Sequence, residues 1–198
     1  IPPKTISKKQ LEKMENTPKN EKLIKELTLI QFNIVYRKKN LLEIINYNSS
    51  SSSYNLYTSI LKKLQFSDDI QQSNREELFI KDVCTRVSKS KSVLYVLEFE
   101  EKIIGLIALS ATSITDQPSI QIDYIFVSNS FRNKNLEILN DFKPFRYLIN
   151  LAISLAEDIS KKLGLRYIVL SPDNDDLKDK YVKVGFKKLN KEWMFFKI

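Results

Sequence analysis

Residues 165–186, LRYIVLSPDNDDLKDKYVKVGF, contain signals for a strand, a turn and a helix in immediate succession. The apolar run Tyr167–Leu170 has the length and composition of a strand. The Ser-Pro-Asp-Asn sequence that follows ends the strand, because proline cannot extend a hydrogen-bonded ladder. Asp173 or Asn174 is expected to cap a short helix, and Gly185 is expected to end it. These residues therefore predict a β-turn-α unit.

The residue order in this unit resembles the signature of the GCN5-related N-acetyltransferase (GNAT) superfamily. That signature has asparagine after a strand, a small or apolar residue three positions on, tyrosine at seven, and Gly-Phe at eleven and twelve. The matching residues are Asn174, Leu177, Tyr181, Gly185 and Phe186. The resemblance implies an α/β (α+β) fold with a mixed, mostly antiparallel central sheet flanked by helices. It also implies a V-shaped splay between the fourth and fifth strands.

Hydrophobic periodicity predicts the remaining elements. Residues 1–20 are polar and are expected to form a flexible arm, followed by one domain over 21–198. Within it, residues 21–91 would hold the first strand and helices, and residues 92–198 the core with the cofactor site. The predicted strands are 27–36, 93–99, 103–110, 119–127, 167–170 and a closing region at 188–198. The predicted helices are 40–47, 54–64, one opened by Ser73 or Asn74, 145–163 and one after Asn174.

Composition excludes several classes of site. The chain has 198 residues, one cysteine and no histidine, so an internal disulfide framework and histidine-based catalysis or metal binding are excluded. No metal site is predicted. No apolar run is long enough to span a membrane, and residues 1–20 lack a signal-peptide core. A reducing, cytoplasmic compartment is therefore expected.

The net charge of +8 is unevenly distributed. Residues 1–91 carry 17 basic and 10 acidic side chains, whereas residues 92–198 carry 15 and 14. One interpretation is a lysine-rich, solvated surface. Others are attraction of the basic first half to RNA or tRNA, or to a membrane surface. The sequence does not decide the oligomeric state, and a homodimer stays open.

The resemblance implies an acetyl-CoA-dependent N-acetyltransferase that transfers the acetyl group directly to a primary amine in a ternary complex. The acceptor would be a small amine, a protein amine, or aminoacyl-tRNA as in GNAT toxins. The backbone of Ile125, Phe126 and Val127 would bind the pantetheine arm, with Asn174 also at the cofactor. Tyr181 would be the general acid that protonates the departing sulfur.

The general base is less clearly marked. Gln121 stands where histone-type members of the superfamily carry glutamate, and an amide is not a useful proton acceptor. Asp123 lies two residues further on, on the same face of a strand, and is the candidate base. A solvated or ion-paired aspartate is the alternative, in which case the amine arrives neutral or loses its proton to water.

The phosphate-binding loop departs from the superfamily pattern. Arg132 has the expected spacing, but Asn135 and Glu137 occupy the glycine positions, and about eight extra residues precede the next helix. Three explanations remain open. Glu137 points away while Arg132, Asn133, Lys134 and Asn135 hold the phosphates; or the site is shifted to Lys143, Phe145 and Arg146 beside Pro144; or it has decayed. The last explanation would leave a catalytically inert GNAT-like binding domain.

Overall fold

The computed structural model describes residues 42–49, 52–114 and 116–198. The predicted arm at 1–20 and the predicted strand at 27–36 lie outside the described residues. Most of the excess positive charge lies there too, because residues 1–41 carry ten basic and four acidic side chains.

Seven strands and four α-helices form the described part of the chain. In chain order they are β1 (Glu43–Tyr47), α1 (Ser53–Leu61), α2 (Ile70–Ser88), β2 (Val93–Phe99), β3 (Lys102–Ile114), β4 (Gln117–Val127), α3 (Pro144–Leu163), β5 (Tyr167–Leu170), α4 (Asp175–Lys183), β6 (Lys187–Lys188) and β7 (Met194–Lys197). Two short 3-10 turns, Asn129–Phe131 and Glu137–Leu139, lie between β4 and α3.

One predicted element was wrong in type, and another began earlier than predicted. In the segment predicted as a helix at 40–47, residues 43–47 form strand β1, which pairs antiparallel with β2 through Ile45 and Val96, and residues 40 and 41 lie outside the described residues. A helix this short has little stability of its own, whereas the open edge of β2 supplies backbone partners. Helix α2 begins at Ile70, with Asp69 accepting a hydrogen bond from the Gln72 N–H at 2.8 Å. The sequence analysis placed the start of this helix later, at Ser73 or Asn74, because the first turn of α2 is exposed and lacks an apolar face.

The strands form one sheet in the order β1-β2-β3-β4-β5-β7-β6. Every neighbouring pair is antiparallel except β4 and β5, which are parallel. Helices α1 and α2 cover a core on one face, and α3 and α4 contribute to a core that includes Tyr181 and Phe186. The predicted fold class is confirmed.

Strands β4 and β5 share only a short region of pairing. Ser119–Gln121 pairs with residues 167–169, β5 ends at Leu170, and β4 continues to Val127. Pro172 follows β5 and cannot donate a ladder hydrogen bond. The two strands therefore separate beyond Gln121, as the predicted splay requires.

A β-bulge lies at the start of this separation. Ile122 pairs with Leu109 and Tyr124 with Ala108, which leaves Asp123 as the extra residue on β4. A bulge shifts the alternation of the strand by one residue. Consequently Ile122 packs in the core beneath α3, whereas Tyr124 packs against the core beneath α2.

Candidate active site

The separation of β4 from β5 opens into a cavity of about 1160 Å³. Its walls come from β4 beyond the bulge, the end of β5, α4, the first turn of α3 and the first half of α2. Phe79 and Tyr124 from one face of the sheet line it together with Phe145 and Tyr181 from the other. The cavity therefore reaches both faces of the sheet, so two molecules could meet within it.

The β4 segment predicted to bind pantetheine lines this cavity. Ile125, Phe126 and Val127 pair with β3 along one edge, and no strand among the described residues pairs with them along the other. Backbone groups of this free edge are open to a ligand. The Val127 carbonyl is an exception, because it accepts a hydrogen bond from Arg132 Nε at 2.9 Å.

Tyr181 is placed by the caps at the two ends of α4. At the N-terminal end, Asn174 Oδ1 accepts the Leu177 N–H at 2.9 Å. At the C-terminal end, the Phe186 N–H bonds the Tyr181 carbonyl at 3.1 Å. Gly185 makes that turn with φ of 102°, a conformation that side chains disfavour. The helix cap occupies the side-chain oxygen of Asn174. Contact between Asn174 and a cofactor stays a prediction.

The Tyr181 ring is buried, whereas its hydroxyl is available to a ligand. The residue is 4% exposed and packs against Phe145 and Phe186, with ring centroids 5.4 and 5.7 Å away. No described residue hydrogen-bonds this hydroxyl, and none of the described side chains leaves a sealed oxygen without a partner. The hydroxyl oxygen is therefore not sealed within the protein, and Tyr181 lines the cavity. Burial raises the pKa of Tyr181, and the nearby charge of Asp173 raises it further, so the phenol keeps its proton.

Asp123 lies within a network of polar side chains. Its Oδ2 accepts from Ser92 Oγ at 2.7 Å, and its Oδ1 accepts from Ser110 Oγ and Gln121 Nε2, each at 3.0 Å. Arg86 completes the set at 3.2 Å. To accept a proton from an amine, the carboxylate would have to exchange one of these partners. Its role as general base stays a prediction.

Tyr124 is a cavity residue that the sequence reasoning did not single out. Its hydroxyl donates to Asp82 on α2, and its ring packs edge-on against Phe79 with centroids 4.3 Å apart. Burial, followed by the hydrogen bond to Asp82, raises the pKa of Tyr124 to about 12. The only signal in the sequence was its place beside Asp123, because the packing of β4 against α2 cannot be deduced from local patterns.

The predicted phosphate residues divide into two groups. Arg132 and Asn133 line the cavity, whereas Lys134 and Asn135 do not. Arg132 is also engaged by protein groups: its Nη2 pairs with Glu76 at 2.8 Å, and its guanidinium lies 5.4 Å from the Phe126 ring centroid. Lys134 donates to the Ser130 carbonyl at 2.7 Å.

The extra residues before α3 form a compact turn. Leu136 and Phe142 form an antiparallel bridge around it, and Leu139 is fully buried. Asn140 and Asp141 both have positive φ, which these residue types tolerate. Glu137 is exposed and does not line the cavity, so its carboxylate does not face a ligand there.

The first turn of α3 supplies an alternative phosphate-binding surface. Lys143, Pro144, Phe145 and Arg146 all line the cavity. The first backbone N–H groups of a helix have no partner inside the helix and favour anions. Lys180 and Lys183 of α4 add positive charge to the same cavity.

The described residues contain no group of three or more His, Cys, Asp or Glu side chains placed to hold a metal ion. None of their helices is both long and apolar enough to cross a bilayer.

The sheet order, the parallel β4–β5 pair and its splay define the GNAT fold. No protein-family model and no curated protein sequence matches the chain. The chain does match solved structures of this fold. One is a tyrosine-to-phenylalanine mutant of the AtaT toxin bound to the C-terminus of the antitoxin AtaR (TM-score 0.62, 14% identity, 80% of this chain and 92% of that chain). Others are AtaTR bound with acetyl-CoA (0.58, 15%, 79% and 92%) and AtaT complexed with acetyl-methionyl-tRNAfMet (0.58, 14%, 79% and 95%). At these identities the likeness establishes the fold.

Proposed function

We propose that the protein is an acetyl-CoA-dependent N-acetyltransferase, acting in the cytoplasm, that transfers the acetyl group directly to a primary amine. The observation that supports this most strongly is the position of Tyr181, which keeps its phenolic proton and lines the cavity at the splay of β4 and β5. The AtaTR structure with acetyl-CoA shows that a protein of this fold binds the same donor.

The chain supplies the groups that direct transfer requires. Bound acetyl-CoA would supply an activated acetyl group as a thioester. The free edge of β4 at Ile125 and Phe126 would align the pantetheine arm. The amine nitrogen would form a bond to the acetyl carbon as the carbon–sulfur bond breaks. Tyr181 would give its proton to the sulfur, and the amine proton would pass to Asp123, as predicted, or to water.

The phosphate end of the donor would be held at α3. Lys143 and Arg146 carry the positive charge there, and the first N–H groups of α3 supply hydrogen-bond donors. Arg132 is already paired with Glu76, so it would act mainly by holding the loop in place.

The acceptor class is proposed from a neighbour. AtaT has been solved with acetyl-methionyl-tRNAfMet, which makes aminoacyl-tRNA the first acceptor to test, ahead of protein amines and small amines. Because tRNA binding neutralises phosphates, transfer to tRNA should weaken steeply as salt rises. Transfer that is insensitive to salt would contradict this acceptor.

Calorimetry with acetyl-CoA and a radiolabelled acetyl-transfer assay test the proposal. The wild-type protein should bind the donor, and Tyr181→Phe should lower turnover by roughly a hundredfold with little change in affinity. Tyr167→Phe is the matched control, because Tyr167 lies on β5 and does not line the cavity. Equal turnover in the wild-type protein and in Tyr181→Phe would contradict the proposed role of Tyr181 as general acid.

The second candidate function is an inert GNAT-like binding domain. It is favoured by the engagement of Arg132 with Glu76 and the Val127 carbonyl, which leaves the expected phosphate loop without a free arginine. The same calorimetry separates the two functions. Absence of donor binding at millimolar acetyl-CoA would leave only the inert domain.

A further inference from the structure

A second cavity, of about 600 Å³, lies beside the hairpin that joins β6 to β7. Lys178 of α4 and residues 188–194 line it, and it shares no lining residue with the cavity at the splay. Its volume is within the range of small-ligand sites. Nothing in the acetyl-transfer proposal uses it.

The hairpin holds Trp193, the single tryptophan of the chain, in a defined position. Asn190 Oδ1 accepts the N–H groups of Glu192 and Trp193 at 2.9 and 2.8 Å. The Leu189 N–H donates to the Trp193 carbonyl at 2.9 Å. The backbone of Trp193 is therefore fixed on both sides, while its side chain is only partly buried.

Three lysines line the same cavity. The Lys178 ammonium is engaged by Asp175 at 2.8 Å. Lys188 and Lys191 are exposed and form no ion pair within the described part of the chain. The charge of Lys188 nevertheless acts on Asp175, whose pKa is lowered mainly by its hydrogen bond to Lys178. Glu192 is the acidic residue of the lining. The lining that contains Trp193 therefore carries more positive than negative charge.

Edge protection accounts for only part of this arrangement. Strand β6 is the last strand of the sheet and consists of two lysines, and lysine on an edge strand prevents pairing with other chains. That explanation does not require an aromatic ring beside the lysines. An aromatic ring and lysines in the lining of one cavity are a combination suited to binding a nucleobase together with its phosphates.

We propose that this cavity binds one nucleotide unit of a single-stranded nucleic acid. The base would stack on the Trp193 indole, and Lys188 and Lys191 would contact the adjacent phosphates. Such stacking tolerates any base, because every base has a π face. The site would hold a strand without reading its sequence.

Fluorescence titration with a ten-nucleotide oligouridylate tests the proposal on the full chain. Because Trp193 is the sole tryptophan, quenching of indole emission reports on this site. Heparin, a polyanion without bases, and adenosine monophosphate, a base with one phosphate, are the comparison ligands. We expect strong quenching by the oligonucleotide, weak quenching by the monophosphate and none by heparin.

Charge-matched variants test the lysines. In Lys188→Gln/Lys191→Gln, the slope of log affinity against log salt should fall by about 1.4, because each phosphate contact on a single strand contributes about 0.7. Lys161→Gln/Lys162→Gln lowers the net charge equally, in the last turn of α3, and should leave the slope unchanged. Equal effects of the two pairs would overturn the proposal.

Anisotropy of a fluorescein-labelled oligonucleotide tests the indole. Trp193→Leu should weaken binding roughly tenfold, and Trp193→Tyr should retain most of it. The proposal is overturned if the oligonucleotide does not quench Trp193, if heparin quenches it equally, or if Trp193→Leu binds as tightly as wild type. None of these measurements involves acetyl-CoA, so the nucleic-acid site and the proposed enzymatic function can fail separately.

Discussion

The Asp123 carboxylate and the Arg86 guanidinium lie 3.2 Å apart, and this ion pair joins α2 to the bulge of β4. Asp123 is 3% exposed at its side chain and Arg86 is 32% exposed. Arg86 Nε also donates to Ser92 Oγ at 3.0 Å, and Ser92 in turn donates to Asp123. Helix α2, strand β4 and Ser92, the residue before β2, therefore meet at the point where β4 leaves β5.

Removing Arg86 should destabilise the fold. Arg86→Ala leaves a buried carboxylate without its cation, which we expect to lower the free energy of unfolding by about 2 kcal/mol. This is less than for a fully buried pair, because Arg86 is partly solvated. Urea unfolding measures the change. Lys81→Ala is the control, since Lys81 and Glu77 form an exposed pair that should contribute below about 0.5 kcal/mol. Similar losses in both variants would contradict the structural role of the Arg86 pair.

The base role of Asp123 requires a kinetic test. Asp123→Asn keeps one of the two oxygen acceptors, replaces the other with an amide NH2 group, and removes the proton-accepting charge. If Asp123 acts as predicted, turnover should fall by roughly a hundredfold with little change in acetyl-CoA affinity. A loss of unfolding free energy with unchanged kinetics would contradict the base role.

The two alternative phosphate sites predict opposite phenotypes. Lys143→Ala/Arg146→Ala removes two cations at the first turn of α3, so it should weaken acetyl-CoA binding roughly tenfold or more by calorimetry and leave unfolding nearly unchanged. Arg132→Ala removes the partner of the buried Glu76, so it should mainly lower the unfolding free energy, by about 2 kcal/mol. If only Arg132→Ala lost affinity for acetyl-CoA, the result would favour the phosphate site predicted from the sequence, in the loop that contains Arg132.

The cap of α4 should be measurable on its own. Asn174→Ala removes the oxygen that accepts the Leu177 N–H, and we expect a loss of about 1 kcal/mol in urea unfolding. Asn174→Asp keeps an acceptor at the N-terminus and should retain the stability. Equal stability of the alanine and wild-type proteins would show that α4 does not depend on this cap.

The decline in the free energy of unfolding above pH 9 should depend in part on Cys84. The thiol is 1% exposed, and burial raises its pKa from 9.0 to about 12. Above pH 9 the unfolded chain releases this proton while the folded chain keeps it. The thiol therefore lowers stability as pH rises from 9 to 12, by up to about 1.4 kcal/mol per pH unit.

Cys84→Ala tests this dependence by urea unfolding between pH 7 and 11. The variant should lose stability at pH 7 through the small cavity it creates, but its stability should decline less steeply above pH 9. Ser59→Ala, an exchange at an exposed position of α1, is the control and should keep the wild-type slope. Parallel slopes in Cys84→Ala and wild type would contradict the burial effect.

Local patterns predicted elements whose signals lie within a few residues of each other. Helix α3 was predicted to within one residue because its apolar stripe is continuous and Gly164 ends it with a positive φ of 65°. The prediction for the β1 segment was wrong because this strand is stabilised by pairing with Val96 and its neighbours, which lie far along the chain.

Sequence spacing was sufficient to place Tyr181 on a capped helix between Asn174 and Gly185, since caps and helical periodicity depend on adjacent residues. It could not show that Arg132 is held by Glu76 or that Asp123 is surrounded by Arg86, Ser92 and Ser110. Those contacts join residues 13 to 56 positions apart. They form only when strands and helices pack, so folding decides which predicted site residues remain free to meet a ligand.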